Sequence, residues 1–135
     1  MWENLLFDAS SVIYALKLRN LKALYDNYIQ WLTIYEVTNA LWKEATLTKA
    51  ISPQEASKIV KLLTKTLEFM KILSPHPYEG EILSTARELS ITAYDASYIV
   101  LAEKNGLTLV TEDKKLRMKA KRLVKAVSLD QITPS

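Results

Sequence analysis

The sequence contains no cysteine, one histidine and two glycines in 135 residues. Without cysteine there are no disulfides, thiolate metal sites or thiol nucleophiles. The lone histidine, His76, sits between Pro75 and Pro77. A zinc site of the H-E-x-x-H kind is therefore impossible, as is any mechanism needing two imidazoles. Glycine only at Gly80 and Gly106 argues against a loop-rich or all-β fold. No run of about 18 apolar residues occurs, so no membrane span is expected. Glu3 and Asp8 interrupt the stretch where a signal peptide would be apolar, and the expected location is cytoplasmic. Acid–base or metal chemistry must then come from carboxylates, lysines and hydroxyls.

What is present is ordinary for a folded domain. Hydrophobic residues make up 49% and charged residues 24%, which excludes disorder. The length predicts one domain over 1–135, large enough to bury a core. The net charge of +3 is concentrated: residues 114–125, KKLRMKAKRLVK, hold seven of the 18 basic residues and no acid. The rest is slightly acidic. A basic segment on an acidic body is the electrostatic footprint of a polyanion partner.

Short apolar runs alternate with helical patterns. Strands are predicted at Asn4–Phe7, Tyr28–Leu32, Lys71–Ser74, Leu107–Thr111 and Ala126–Leu129. Helices are predicted over Ser10–Leu18, from Thr33 to Lys49, from Ser52-Pro53 onward, over Tyr78–Leu89 and Ala93–Lys104, and from Asp113. Asn105-Gly106 reads as a left-handed helix stop. The alternation predicts a three-layer α/β/α sandwich around a mainly parallel sheet. In such sheets the ligand site lies beyond the carboxyl ends of the strands.

Four acids fall at strand-to-helix junctions: Asp8, Glu36, Asp95 and Asp113. Each has a plain structural reading. Thr33-x-x-Glu36 and Thr92-x-x-Asp95 resemble capping boxes. Asp8 and Asp113 can serve as N-caps, worth about 1 kcal/mol each. Together, however, four acids at one end of a parallel sheet can share a site. Crowded, partly buried carboxylates repel one another unless a cation sits among them. Oxygen ligands select Mg²⁺ or Mn²⁺.

The segments FDASSVIYAL, IYEVTNALWK and ITAYDASYIVLAEKNGLTLVTEDKKL together resemble a PIN-domain nuclease of the type found in VapC toxins. The matching blocks carry Asp8 and Ser10, Glu36 and Asn39, Asp95, then Thr111 and Asp113, in the family's order. The helical middle, about residues 50–75, carries little family signature. The resemblance implies a metal-dependent endoribonuclease, leaving a 5′-phosphate and a 3′-hydroxyl. It implies Mg²⁺ or Mn²⁺ held by Asp8, Asp95, Glu36 and Asp113, with Ser10, Asn39 and Thr111 in support. It also implies a small antitoxin partner and a homodimer. Lys114, Lys115, Arg117 and Lys121 are candidate RNA phosphate contacts; a solvated lysine-rich helix is the plain alternative. The aromatic residues are expected in core and interfaces, with Trp42 open to either reading. Two other functions fit the same fold: a housekeeping nuclease of RNA maturation, and a non-catalytic RNA-binding scaffold.

Overall fold

The computed structural model describes residues 2–132. Five strands form one fully parallel sheet in the order β3-β2-β1-β4-β5. In chain order the elements are β1 (Leu5–Phe7), α1 (Ala9–Lys17), β2 (Tyr28–Gln30), α2 (Trp31–Trp42), α3 (Pro53–Leu67) and β3 (Lys71–Leu73). There follow α4 (Glu79–Leu89), α5 (Ala93–Asn105), β4 (Thr108–Val110), α6 (Lys114–Ala120), β5 (Ala126–Val127) and α7 (Leu129–Ile132). The expected α/β/α sandwich is what forms.

Side-chain alternation along β1 divides the core. Leu5 and Phe7 face one layer with Val12 and Leu16 of α1, Val37 and Leu41 of α2, and Ile59 and Leu63 of α3. Leu6 faces the other layer with Tyr98, Ile99 and Leu101 of α5 and Leu116 and Ala120 of α6. Ile82 and Ala86 of α4 pack on Ala96 and Val100 of α5. Residues 96–102 of α5 are all buried, because this helix lies between the sheet and α4. Phe7 is completely buried, and its truncation to Ala costs on the order of 3–5 kcal/mol. No helix among the described residues is long and apolar enough to cross a membrane.

The sheet runs outward from β1 through β2 to β3 on one side and through β4 to β5 on the other. The order reverses between β1 and β4, paired in register Phe7 to Val110. At such a switch point the connections leave in opposite directions and open a crevice at the strand ends.

Three local details differ from the expectations. The second strand ends at Gln30, and α2 starts two residues before Thr33. Thr33 is therefore the third helical residue; its hydroxyl accepts from the Gln30 N–H at 3.2 Å. Glu36 lies in the second turn, so it is not the acid of a Thr33 capping box. The long helix also stops being α-helical at Trp42: Lys43–Leu47 form a π-helical turn. The last strand is only Ala126–Val127, and Leu129 begins α7. The helix starts at Ser52-Pro53, Thr92 and Asp113 stand as expected, and Gly106 caps α5 at φ 64.

Candidate active site

Asp8 directly follows β1 and caps α1, its Oδ1 accepting from Ser11 N–H at 3.0 Å. Asp8 as a residue is only 6% exposed. It survives there because it is saturated with donors. Ser10 Oγ donates to Oδ1 at 2.7 Å, and Thr111 Oγ1 donates to Oδ2. Ser11 Oγ donates to the Val110 carbonyl at 2.7 Å, tying the start of α1 to the end of β4. Burial pushes the Asp8 carboxyl above the ordinary carboxylate range, and the bonds from Thr111, Ser11 and Ser10 oppose that rise.

The neighbouring strand end brings the next group. Thr111 is fully buried after β4, and its hydroxyl also accepts from Asp113 N–H at 3.1 Å. Asp113 is exposed and caps α6, its Oδ1 accepting from the Lys115 and Leu116 N–H groups at 2.9 and 3.1 Å. The capping role expected of Asp8 and Asp113 is thus real, and it leaves the second oxygen of Asp113 uncommitted to the cap.

Glu36 comes from the second turn of α2 and Asp95 from the first turn of α5, and both are half-buried. Glu36 Oε1 accepts from the Tyr98 hydroxyl at 2.6 Å; that hydroxyl lies 2.8 Å from Thr33 Oγ1. Burial raises the Glu36 pKa, the Tyr98 bond lowers it, and the charges of Asp8 and Asp95 raise it. Asp95 is raised by burial, then by Asp113 and Asp8. Its N–H is bonded to the Thr92 cap at 3.1 Å. Asp8 and Asp95 thus act electrostatically on Glu36, and Asp113 and Asp8 act on Asp95, across the strand ends.

Two clefts flank this group. One, of about 440 Å³, is lined by Thr92, Asp95, Asp113, Lys115 and Lys119. The other, of about 420 Å³, is lined by Leu32, Tyr35, Glu36, Asn39 and Tyr94. The basic helix is placed differently from the simple spacing argument. Lys115 and Lys119 line the cleft that Asp95 and Asp113 also line, with Lys119 Nζ bonded to the Ser90 carbonyl at 3.2 Å, whereas Arg117 Nη1 is bonded to the Thr111 carbonyl at 2.7 Å. Lys114 and Lys121 are exposed, and Lys121 already lies past the last turn of α6.

Sequence reasoning missed Tyr98, Thr33 as its partner, and a link from Gln30 Nε2 to Ser97 Oγ at 2.8 Å. It also missed Glu112, whose Oε2 accepts from Leu129 N–H at 2.8 Å and so anchors α7. As an aromatic residue Tyr98 is expected in the core, where it lies; only the fold brings it to Glu36.

The donor set consists of carboxylates, the oxygen ligands that a hard divalent cation takes. Burial raises the pKa values of Asp8, Glu36 and Asp95, and neighbouring carboxylates add to the rise at Glu36 and Asp95, the condition a hard cation relieves. Among the described residues no group of three or more His, Cys, Asp or Glu side chains is spaced to hold a metal ion. The set fits such an ion by charge and donor type.

A parallel sheet with carboxylates at its switch point defines an α/β protein whose chemistry rests on acids at strand ends. A model of the PIN domain family matches residues 5–122. A Pyrobaculum aerophilum protein named Exonuclease VapC9 is 41% identical over 132 residues, spanning 92% of this chain and 91% of that one. Ribonuclease VapC3 of the same organism is 41% identical over 97 residues, spanning 69% and 70%. The crystal structure of PAE2754 from Pyrobaculum aerophilum superposes with a TM-score of 0.81 at 34% identity, covering 98% of this chain and 93% of that one. The chain belongs to the PIN-domain family.

Proposed function

We propose that this protein is a metal-dependent endoribonuclease and the toxin of a toxin–antitoxin pair, acting in the cytoplasm. The observation that carries the reading is the coupling of Asp8, Glu36, Asp95 and Asp113 across the crevice between β1 and β4. The names of the two relatives, a ribonuclease and an exonuclease of the VapC kind, agree with nuclease chemistry.

Asp8, Asp95, Glu36 and Asp113 would hold Mg²⁺ or Mn²⁺, which when bound lowers the pKa of water and offsets charge on the phosphate. The protein's own contribution is orientation. Ser10 and Thr111 fix both oxygens of Asp8. Tyr98 fixes one oxygen of Glu36 and leaves the other free. Asn39, exposed beside Glu36 in the same cleft, supplies an amide to substrate. Lys115 faces the crevice and offers an ammonium to an RNA phosphate, with Lys114 and Lys121 exposed nearby in sequence. Arg117 acts indirectly, by holding the Thr111 carbonyl. The hydroxyls of Ser10 and Thr111 are spent on orienting Asp8, so water is the nucleophile in this reading.

For the antitoxin we assign the apolar cleft of about 450 Å³ between α2 and α3, where half-exposed Trp42 meets Leu41, Ala56 and Val60. A homodimer completes the proposed assembly.

The test is cleavage of an end-labelled structured RNA with Mg²⁺, with Mn²⁺ and with EDTA, beside Asp95→Asn. Metal-dependent cutting lost in the variant supports the reading. A folded protein that neither cuts RNA nor binds metal overturns it and leaves the acids as helix caps.

A further inference from the structure

We propose that Tyr35 and Tyr94 form a seat for one unpaired nucleobase beside the carboxylate crevice. The inference rests on the nuclease reading above and deepens it by naming how the strand is held.

Both rings are anomalous as surface residues. Tyr35 is 74% and Tyr94 62% exposed, although each is the immediate neighbour of a half-buried acid, Glu36 and Asp95. They line one cleft together with Leu32, Glu36 and Asn39. Neither hydroxyl nor ring has a bonding or stacking partner among the described residues. They therefore contribute little to the fold, and large aromatic surface stands open to solvent at the reacting end of the sheet.

The backbone beneath them is rigid. Tyr94 lies in the first turn of α5, and its carbonyl accepts from Ser97 Oγ at 2.6 Å. Ser97 Oγ in turn accepts from the buried Gln30 Nε2 at the end of β2. That chain ties the start of α5 to the start of α2, the two elements that carry the rings. An aromatic seat on rigid elements loses little freedom when a base stacks on it.

The two clefts match the two halves of a nucleotide. The start of α5 lies between them: Tyr94 lines the aromatic one, and Asp95, the next residue, lines the one that also holds Lys115 and Lys119. A phosphate drawn to the basic side leaves its neighbouring base at the aromatic side. Only an unpaired base offers a free face, because paired bases are already stacked in their own helix. Asn39, exposed along the same cleft, supplies a donor and an acceptor for a base edge.

The test uses a short single-stranded RNA carrying 2-aminopurine, whose fluorescence falls on stacking. It is titrated into the full-length Asp95→Asn protein, with and without Tyr35→Ala and Tyr94→Ala together, and with the Tyr→Phe pair. The seat predicts quenching, a loss of affinity of about tenfold or more in the alanine pair, and full retention in the phenylalanine pair. In the cleaving protein the same alanine pair raises KM by that factor with a much smaller effect on kcat. Unchanged quenching and affinity in the alanine pair overturns the proposal. So does a dimer, seen by light scattering, that dissociates in the alanine pair while RNA affinity is unchanged; the rim then covers a second copy. Because binding is read without turnover, failure of the nuclease reading remains distinguishable: quenching without any metal-dependent cleavage sinks that reading alone.

Discussion

The Tyr98 hydroxyl donates to Glu36 Oε1 at 2.6 Å, joining the buried helix α5 to the second turn of α2 across 62 positions of sequence. The same hydroxyl meets Thr33 Oγ1 at 2.8 Å. Tyr98 is 1% exposed, and burial together with its bond to Glu36 pushes the phenol far above its ordinary value. It is therefore a permanent donor, and it holds one oxygen of Glu36 in a fixed direction.

Tyr98→Phe removes this donor with almost no change in volume. The loss in stability is about 1–2 kcal/mol, because a buried hydroxyl at Thr33 loses a partner. Tyr98 is a positioning residue, so its effect must also appear in titration. Its bond lowers the Glu36 pKa, so removal raises it. The acid limb of the pH–rate profile moves to higher pH in Tyr98→Phe, and kcat falls with KM little changed. An unshifted limb restricts Tyr98 to packing.

The crowded acids make metal-free stability depend on pH with a definite sign. Asp8, Glu36 and Asp95 all have raised pKa values, with burial the first cause. The folded state then binds protons more readily than the unfolded chain. The stability they contribute is fully present below the ordinary carboxylate pKa and is lost as pH rises through the raised values. In EDTA, Asp95→Asn relieves its interactions with Asp113, Asp8 and Glu36 and is expected to melt a few degrees higher than the parent at neutral pH, roughly. The parent gains thermal stability with Mg²⁺ or Mn²⁺, and the variant gains much less. Equal metal shifts in both proteins, measured by calorimetry, would remove Asp95 from the ion site.

Asp113 can be separated into cap and reactant. Asparagine caps a helix as well as aspartate does, whereas alanine does not. Asp113→Asn should melt like the parent, and Asp113→Ala should lose about 1 kcal/mol with the bonds to the Lys115 and Leu116 N–H groups. Cleavage should fall in both. Full activity in Asp113→Asn would leave only the cap.

The basic residues of α6 should divide by direction. Lys115→Ala weakens RNA binding and lowers the slope of log affinity on log salt by roughly 0.7, one single-strand phosphate contact. Lys119 also holds the Ser90 carbonyl at 3.2 Å, so its variant loses less charge contact and more local order. Arg117→Ala leaves the slope unchanged and destabilises the end of β4, because its guanidinium serves Thr111. Equal slopes in all three variants would contradict the orientation of this helix.

Much of the architecture was legible because its signals are local. A β-favouring run ended by a polar residue, Leu-Leu-Phe before Asp8 and Thr-Leu-Val before Thr111, marks β1 and β4, and Ser52-Pro53, Thr92 and Asp113 are caps that act within three residues. The start of α2 was misplaced because Trp31 and Leu32 extend the apolar run, while the strand's hydrogen bonds end at Gln30 with its pairing to Leu73. The π-helical turn at Lys43–Leu47 has no composition of its own. Tyr98 looked like core, and it is core; its hydroxyl matters only because β2 and α5 are brought together. Arg117 and Lys115 were indistinguishable by charge, and only the packing of Leu116 and Ala120 against the sheet decides which one faces the crevice.

The central claim is that the acids at the β1–β4 crevice cut RNA internally with the help of a divalent ion. A circular single-stranded RNA has no end to start from, so it reports internal cutting alone. Incubated with the parent protein and Mg²⁺ or Mn²⁺ it should become linear, and it should stay circular with EDTA or with Asp95→Asn. Circles left intact under conditions where linear RNA is shortened from one end would contradict the internal cut. Linear product formed equally in EDTA or by Asp95→Asn would contradict the carboxylate–metal centre itself.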